Sequence, residues 1–534
     1  MLLWSKKPTP WPLLLVVAVV LASVALSVRA SLGGTRGALV YAVDDAYIHM
    51  AVAKNLARHG IWGATPFHFS SASSSPLWIV LLAASYVVAG VRDYLPLLLN
   101  TLFTALTLVV ADHYLRRFSV PAIARVAALL GIVVSSSMTA MVLLGMEHVV
   151  HLLLTIWFAA AAAEAIARDP GDHRAARRDA ILLCVVGGLL GSSRYEGFFL
   201  IAIVCFTFAA RGRFAVAALL AAASWVPAAT FGAISMWNGA FFLPNSLMLK
   251  AVAESTSGLG SLLKPIGPDD IAFLRRHAGL LTVAGVGLVA AVARAMKDRD
   301  AWRPSVLLPV WLVFAILLHG HFTFSPTYWA YRYDVYLLGF AVFVAAVASA
   351  RLLAAAPRGH LILAAALLAI TAYLGNYREA LFPRAEIAGA KYTFIEHVAI
   401  ARFVGTVYPT ETIAINDLGA LAYYTDADIV DIIGLGDLEP LLIQRRTHRY
   451  TSDDVREWVG PHHARIAILQ TDWSFVVPLV PGQWHEVIEV RLPPHGKRVG
   501  FFAIDPQEAA RLRTMVQEYF GQLRQTDGYR LIVL

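Results

Sequence analysis

The run LLLVVAVVLASVALSV, residues 13–28, decides the class of fold, because it stays apolar through about four helical turns. Such a run is typical of a helix that crosses the hydrocarbon core of a bilayer, whereas strands of a membrane barrel alternate polar and apolar residues. Similar runs recur up to residue 376, and the mean hydropathy of +0.62 is far above that of a soluble domain. The sequence therefore predicts an all-α polytopic membrane bundle.

The basic segment MLLWSKKPTPWP, residues 1–12, precedes this run and resembles a signal peptide in outline. The run is long and lacks a small-residue cleavage site, so we interpret it as a retained helix that starts in the cytoplasm. Basic cytoplasmic loops account for the net charge of +8, and we predict no nucleic-acid partner. Cys184 and Cys205 both lie in apolar runs, which excludes a disulfide framework and a cysteine-based zinc site.

Basic connectors indicate the side of each loop, because cytoplasmic loops carry an excess of Lys and Arg. Such connectors occur at 116–117, 168–179, 211–213, 294–303 and 351–358. We predict about eleven transmembrane helices. The number changes by one or two if the Arg116–Arg117 connector is an exception to this rule and two short apolar segments form a single hairpin. The predicted spans are 11–29, 94–115, 122–138, 147–167, 180–193, 197–210, 214–236, 278–296, 304–322, 333–350 and 361–376. The apolar segment 76–90 does not fit as a crossing and is either re-entrant or lies along the surface.

The last part of the chain has more charge and proline and no further membrane-length run. We therefore predict a transmembrane domain over 1–376 and a soluble, extracytoplasmic α/β domain over 377–534. TIAINDLGALAYYT (412–425) predicts a buried strand, a turn and the start of a helix, and ADIVDIIGL (427–435) and RIAILQ (465–470) predict a second and a third strand. No GxGxxG or Walker pattern accompanies them, so we predict no nucleotide site.

Five polar motifs fall together on the side opposite the basic loops, which is the extracytoplasmic side. They are residues 44–45, 145–148, 193–197, 244–250 and 331–334. Several of these residues are charged, and charge near a membrane indicates function. The outer side is therefore where we look for a site.

Asp44 and Asp45 are adjacent acids close beyond the first apolar run, in a chain with only 15% charged residues. A carboxylate that faces a cavity can take a proton from an incoming hydroxyl group, so both are candidate catalytic residues. If residues 45–58 form a helix, His49 lies on the same face as Asp45 and could form a hydrogen bond or bind a metal. Alternatively, one of the acids only caps the start of that helix.

Arg194 and Glu196 lie at the turn between two predicted spans, and Glu147 and His148 open another. The planar guanidinium of Arg194 suits a phosphate group. Equally, the Arg194–Glu196 pair could be an ion pair that holds two helix ends. The sequence leaves both interpretations open.

Lys250 and Arg332 are predicted cations at helix ends on the outer side, whereas Lys and Arg are usually enriched in cytoplasmic loops. Each is therefore expected to have an anionic partner. That partner is either a lipid headgroup or the phosphate of a lipid-linked substrate. The aromatic segment FTFSPTYWAYRYD, residues 322–334, either forms an interfacial belt or lines a sugar site. Several cations on one side favour the phosphate.

Taken in order, these motifs resemble those of the GT-C superfamily of integral-membrane glycosyltransferases. The motifs are DDAYIHMAVAKNLARHG (44–60), SSASSSPLW (70–78), GMEH (145–148), SRYEGFFL (193–200) and LPNSLMLK (243–250). The segment NDLGALAYYTDADIVDIIGLGD, residues 416–437, resembles the branch that contains the mycobacterial terminal β-arabinofuranosyltransferase. Tyr195 departs from the family pattern, which has proline there, and puts the backbone of that turn in doubt.

The resemblance implies an inverting transfer of a sugar from a polyprenyl-phosphate donor to an extracytoplasmic glycan or lipid acceptor. Asp44 or Asp45 would be the general base, and Arg194, Lys250 and Arg332 would bind the donor phosphate. His49, Glu147, His148, Glu196 and Asn245 would support the site. The resemblance also implies a multi-pass protein of the bacterial plasma membrane, in contact with membrane lipid.

We assign no cofactor and no metal ligand from the sequence. A divalent cation on Asp44, Asp45, Glu147 or His49 stays open, because two adjacent acids are a weak metal signal and some relatives work without one. Two other classes of function also stay open. One is a transporter or flippase of a lipid-linked glycan, and the other is a non-catalytic membrane protein whose α/β domain binds a partner.

Overall fold

The computed structural model describes residues 10–168, 171–253, 277–298, 300–322, 332–353, 356–375, 381–492, 497–527 and 529–534. The helices up to residue 253 are α1 (Trp11–Gly34), α2 (Asp45–His59), α3 (Pro76–Ala89), α4 (Leu95–Arg117), α5 (Ala122–Ser135), α6 (Met138–Leu144), α7 (His148–Ala167), α8 (His173–Ser193), α9 (Gly197–Ala210), α10 (Phe214–Trp237) and α11 (Asn245–Ala253). They are followed by α12 (Ala278–Asp298), α13 (Pro304–Phe322), α14 (Val335–Leu352) and α15 (Gly359–Gly375).

Every predicted span coincides with a helix, and the largest difference at an end is at α8. That helix begins at His173 instead of residue 180, because the Asp172 carboxylate accepts a hydrogen bond from the backbone of Ala175 and caps a polar first turn. In the described residues, α1, α4, α7 and α10 are long and apolar enough to cross a membrane. The bent pair α5–α6 is a fifth if it counts as one span, so eleven crossings stay a prediction.

Helices α5 and α6 meet at an angle of 41°. Ser137, between them, has a left-handed φ of 45°, and the Ser135 and Ser136 hydroxyls donate to carbonyl oxygens one turn back. Such side-chain bonds and a left-handed residue interrupt regular helix geometry. The bend therefore has a local cause in three consecutive serines.

The chain divides into two compact units. The first comprises the described residues of Met1–Ala30, Pro96–Thr230 and Gly258–Ile387. In it, α5 packs closely on α14 and α15. Gly131 permits this approach, because an added Cβ would lie 2.5 Å from the Thr371 hydroxyl and 2.8 Å from a Val342 methyl.

The second unit comprises the described residues of Ser31–Leu95, Phe231–Ser257 and Ala388–Leu534. Its strands are β1 (Thr412–Ile415), β2 (Asp428–Asp431), β3 (Ile466–Gln470), β4 (His485–Leu492), β5 (Lys497–Ala503) and β6 (Arg530–Val533). Its later helices are α17 (Ala399–Val407), α18 (Gly419–Tyr424), α19 (Glu439–Thr447), α20 (Ser452–Val459) and α21 (Ala509–Asp527), and α16 (Arg384–Thr393) spans the boundary between the units. The three predicted strands are confirmed as β1, β2 and β3.

The sheet has the order β2-β1-β3-β5-β4-β6. β1 pairs in parallel with β2 and β3, and the other pairs are antiparallel. Val455 and Val459 of α20 pack in one buried cluster with Ala414 of β1. Aromatic rings from Phe403 of α17 and Phe520 of α21 contact Phe501 of β5. This confirms the predicted α/β character of the C-terminal part of the chain.

Candidate functional site

Asp44 directly precedes α2, but in the described structure its carboxylate does not cap that helix. Instead, Oδ2 accepts a hydrogen bond from the backbone N–H of Gly419 at 2.7 Å, and Oδ1 accepts one from Ala420 at 2.8 Å. These donors open α18, where first-turn N–H groups lack helical partners. Asp44 therefore caps α18, and Asp45 is the half-buried first residue of α2.

Lys54, further along α2, holds the other end of α18. Its Nζ donates hydrogen bonds to the carbonyl oxygens of Ala422, Tyr423 and Thr425 at 2.9–3.0 Å. The side chain is buried, and burial lowers the pKa of its amine. The 44–60 motif and the 416–437 motif, which the sequence presents separately, thus form one structural unit.

A small, partly open cavity lies beside Asp44, and we call it the acidic cavity. Its lining residues are Asp44, His397, Ile400, Ile415, Asn416, Asp417, Leu421, Ile468, Gln470 and Val499. Asn416 and Asp417 follow β1, and Gln470 ends β3. The carboxyl ends of neighbouring parallel strands are where α/β sheets commonly bind ligands. The sheet thus presents three polar side chains to the cavity.

His397 enters the cavity from a π-helical turn, Phe394–Val398, between α16 and α17. Such turns are rare and occur often at functional sites. The His397 Nδ1 atom is 3.6 Å from Oδ1 of Asp44 and 3.5 Å from Oδ2 of Asp417. Burial raises the pKa of Asp417 well above its usual range, and the neighbouring Asp44 carboxylate raises it further.

A second group of predicted residues meets in the other unit, and we call it the arginine cluster. It comprises Arg194, Arg332, Tyr333, Glu147, His148 and Glu196. Arg194 forms ion pairs with Glu147 at 2.5 Å and with Glu196 at 2.7 Å. These contacts join the start of α7 to the turn between α8 and α9, as the ion-pair interpretation expects.

Arg332 lies in the same cluster. Its guanidinium carbon is 5.1 Å from the ring centroid of Tyr333, and that of Arg194 is 5.2 Å from the same centroid. Arg332 Nη2 also donates to the Tyr333 hydroxyl at 3.1 Å. Two arginines therefore share one tyrosine, an arrangement stabilised by the cation–π interaction.

The remaining predicted residues lie in the unit that contains Asp44. His49 Nδ1 is hydrogen-bonded to the Ser73 hydroxyl at 3.0 Å. The backbone N–H of Asn245 donates to the Ser71 carbonyl at 2.9 Å, which joins the 243–250 motif to the 70–78 motif. Lys250 belongs to α11, but its side chain, like residues 323–331 of the aromatic segment, lies outside the described part.

Sequence reasoning missed His397, Asn416 and Asp417 as site residues. Asn416 and Asp417 directly follow a predicted buried strand, and that position was an available signal. His397 gave none, because the π-helical turn that orients it has no sequence signature in this stretch. Tyr333 belongs to the aromatic segment that was offered as an interfacial belt or a sugar site, and its contact with two arginines was not predicted.

Part of the acidic cavity lies in a segment that matches a known family model. Residues 385–508 match a family model described as a domain of unknown function (DUF8728). That range contains His397, Asn416, Asp417 and Gln470. The comparison with curated proteins gives no match.

Two solved structures are similar over most of the chain. ArnT from Cupriavidus metallidurans, solved bound to undecaprenyl phosphate, has a TM-score of 0.57 at 14% identity, covering 93% of this chain and 99% of ArnT. The archaeal oligosaccharyltransferase AglB from Archaeoglobus fulgidus, solved with an inhibitory peptide and a dolichol-phosphate, has a TM-score of 0.52 at 11% identity. That match covers 92% of this chain and 74% of AglB.

These similarities show a fold like that of ArnT and AglB, and the described residues contain several apolar helices long enough to cross a membrane. The arabinofuranosyltransferase branch, the bacterial plasma membrane and the outer location of the C-terminal domain stay predictions. So do the domain boundary at 376/377 and the roles of the site residues.

Proposed function

We propose that this protein is a GT-C glycosyltransferase that moves a sugar from a polyprenyl-phosphate donor to an extracytoplasmic glycan or lipid acceptor. The observation that carries the proposal is the fold, which extends over 93% of the chain in the comparison with ArnT. Both similar structures were solved with a lipid phosphate bound, undecaprenyl phosphate in ArnT and a dolichol-phosphate in AglB. In its finer form the proposal assigns the chain to the branch of the mycobacterial terminal β-arabinofuranosyltransferase, on the resemblance of residues 416–437, and leaves the sugar open.

The acidic cavity supports an acceptor site. Asp44 lines it, and Asp45 is the next residue, so a hydroxyl group that enters has a carboxylate close by. Amide and carboxylate side chains such as Asn416, Asp417 and Gln470 are the groups that hydrogen-bond sugar hydroxyls. The C-terminal domain would then take part in binding the acceptor.

The arginine cluster supports a phosphate site. Arg194 donates through Nη1 and Nη2 to two carboxylates, and its Nε has no hydrogen-bond partner among the described residues. Arg332 brings a second guanidinium to the same tyrosine ring. Fixed cations near a leaving phosphate stabilise the charge that develops as it departs. The carboxylates of Glu147 and Glu196 would hold Arg194 in a fixed orientation until the donor arrives.

In the proposed reaction, Asp44 or Asp45 takes the proton of the acceptor hydroxyl as its oxygen attacks the anomeric carbon. The bond from that carbon to the phosphate oxygen breaks with inversion, and the electron pair leaves with the polyprenyl phosphate. Arg194, Arg332 and Lys250 compensate the charge of that leaving group. No general acid is required, because a charge-compensated phosphate is a good leaving group.

The test is transfer by purified protein in nanodiscs from a short-chain polyprenyl-phosphate arabinofuranose, with the glucose and mannose donors in parallel. Asp44→Asn and Asp45→Asn are made singly. We expect one of them to lower kcat by about 10²- to 10⁴-fold, the usual contribution of a general base. The control is Asp453→Asn, at a side chain that is 78% exposed in α20, which should retain full activity.

Because Asp44 also caps α18, each variant is checked for an unchanged unfolding temperature. Full activity in both Asn variants would remove the proposed base. No transfer from any of the three donors by the unsubstituted protein, with a nonhydrolysable donor analogue failing to bind, would overturn the proposed function itself.

A further inference from the structure

Three potential metal ligands meet in the acidic cavity. They are Nδ1 of His397 and one carboxylate oxygen each from Asp44 and Asp417, and all lie within 4.8 Å of one another. One imidazole nitrogen with two carboxylate oxygens is a ligand set that suits Zn²⁺, whose open sites use three protein ligands and a water molecule. We propose that these three residues bind one divalent transition-metal ion, with Zn²⁺ as the best fit.

The distances fit an ion between the three groups. His397 Nδ1 lies 3.6 Å from Asp44 and 3.5 Å from Asp417, beyond the usual length of a hydrogen bond. Zinc bonds of about 2.0–2.2 Å in tetrahedral geometry separate neighbouring ligand atoms by roughly 3.3–3.6 Å. The ion also compensates two adjacent carboxylates, which are unfavourable together in a partly buried cavity.

The surroundings hold each ligand in place. The Asp44 carboxylate is fixed by the N–H groups of Gly419 and Ala420, and each of its oxygens keeps a lone pair for a metal. Asp417 Oδ2 accepts a hydrogen bond from Nε2 of Gln470 at 3.2 Å. On the far side of the imidazole, Nε2 of His397 lies 3.9 Å from Glu396, which is too far for a hydrogen bond but close to the place of the outer carboxylate that usually orients a metal-bound histidine.

An independent observation also points to a ligand in the cavity. Asn416, which lines it, is 5% exposed, and its Oδ1 accepts the backbone N–H of Gln470 at 2.9 Å. Its amide nitrogen Nδ2 has no hydrogen-bond partner among the described residues. Buried N–H donors nearly always find an acceptor. The oxygen of a water or hydroxyl group that completes the coordination of the ion would be an acceptor for this amide nitrogen.

The metal site stands apart from the transfer reaction, since its ligands define it whatever the protein catalyses. If Asp44 is a ligand, proton transfer in the proposed reaction falls to Asp45. Two of the three ligands belong to the C-terminal domain, so the ion would fasten that domain to the outer-loop motif that contains Asp44. The proposal therefore predicts that the protein binds zinc and that zinc raises its stability, and both can be measured without a sugar donor.

The experiment uses the full-length protein, without a polyhistidine tag, in nanodiscs after chelator treatment and removal of the chelator. ZnCl₂ alone is the probe, with metal content read by mass spectrometry after dialysis and affinity by competition with a fluorescent zinc chelator. We expect one Zn²⁺ per chain and a higher unfolding temperature with zinc. Asp417→Asn and His397→Gln should each weaken binding by more than about tenfold, since outer contacts alone change metal affinity by that much.

The matched control for His397→Gln is His448→Gln, at an exposed residue after α19, which should bind zinc as the unsubstituted protein does. Binding of no zinc by the unsubstituted protein, or equal binding by all variants, would overturn the proposal. Transfer activity is measured on the same samples. Loss of zinc with transfer retained leaves the proposed function standing, and zinc binding without any transfer leaves the metal site standing.

Discussion

Gly419 determines how closely the start of α18 approaches Asp44, which directly precedes α2. Its backbone N–H bonds the Asp44 carboxylate at 2.7 Å, and a Cβ there would overlap both the carboxylate and the carbonyl oxygen of Asp44. An alanine therefore forces α18 and Asp44 apart. The need for glycine arises from this close approach, since the helical backbone itself would accept any residue.

We predict that Gly419→Ala lowers the stability of the C-terminal domain by about 1–3 kcal/mol, the usual range for overpacking. The measurement is protease susceptibility of the domain at graded urea concentrations in nanodiscs. The control is Gly405→Ala in α17, where an added Cβ meets only a Thr425 methyl at 3.5 Å. Alanine is the better helix former by about 0.5–1 kcal/mol, so that variant should be neutral or stabilised. Equal destabilisation of both would contradict the close contact.

Among the elements of the second unit, the loop from β2 to α19 folds around two acids. Asp431 accepts hydrogen bonds from the N–H groups of Ile433, Leu435 and Gly436 at 2.7–2.8 Å. Asp437 accepts the N–H of Asp431 and is bonded through Oδ1 to Nε2 of His68. The hydrogen bond to Asp437 raises the pKa of His68 above its ordinary value. Burial, with the nearby Asp437 charge, raises the pKa of Asp431 to about 6.

Both shifts make the folded loop less stable as the pH rises. Asp431 binds its proton more tightly in the folded chain than in the unfolded chain, where aspartate titrates near about 4, so stability falls between pH 4 and 6. The His68 contribution is complete below about 6.5 and is lost as the pH rises through its folded pKa. We therefore expect the unfolding temperature of the domain to fall from pH 5 to pH 8.

The measurement is thermal unfolding in nanodiscs at half-unit steps of pH. His68→Gln keeps a donor for Asp437 without a titratable ring, so it should flatten the profile above pH 6.5 and leave the decrease below that value. His448→Gln, at an exposed ring, is the control and should follow the unsubstituted profile. A stability that rises over this range would contradict the assigned shifts.

Long helices were predictable from the sequence because an apolar run of membrane length has few alternatives. Strands were predictable only where they are short, buried and parallel, as in β1, β2 and β3. β4 was missed because its register shifts between Glu486 and Ile488, and a bulge breaks the alternation that identifies a strand. β6 was missed because it is a four-residue edge strand with half-exposed side chains.

At the scale of the whole molecule, the motifs fall into two groups that periodicity could not separate. The 44–60, 70–78, 243–250 and 416–437 motifs belong to one unit, and the 145–148, 193–197 and 331–334 motifs belong to the other. Asp44 and Gly419 are 375 positions apart in the chain. Contacts of that separation depend on tertiary packing, so the sequence predicted which residues are functional candidates but not which of them meet.

The side on which the C-terminal domain lies depends on the number of crossings. An odd number, such as the predicted eleven, places the domain outside if the chain starts inside, and the basic loops then lie in the cytoplasm. In the described structure, four or five helices are long and apolar enough to cross a membrane by themselves. Whether the total number of crossings is odd or even therefore depends on the shorter apolar helices. The proposed reaction requires the outer location, because its acceptor is extracytoplasmic.

Single cysteines test this in a background with Cys184 and Cys205 replaced by serine. Arg446→Cys places a thiol at a side chain that is 68% exposed in α19, and Arg174→Cys places one at an exposed position at the start of α8. A membrane-impermeant maleimide added to intact cells should label the first and not the second, whereas both should react after permeabilisation. Labelling of Arg174→Cys alone would invert the topology, and labelling of both in intact cells would mean that an even number of crossings separates them. The first result would remove the acceptor side that the proposed transfer needs. The second would leave the C-terminal domain outside and overturn only the predicted cytoplasmic location of the 168–179 connector.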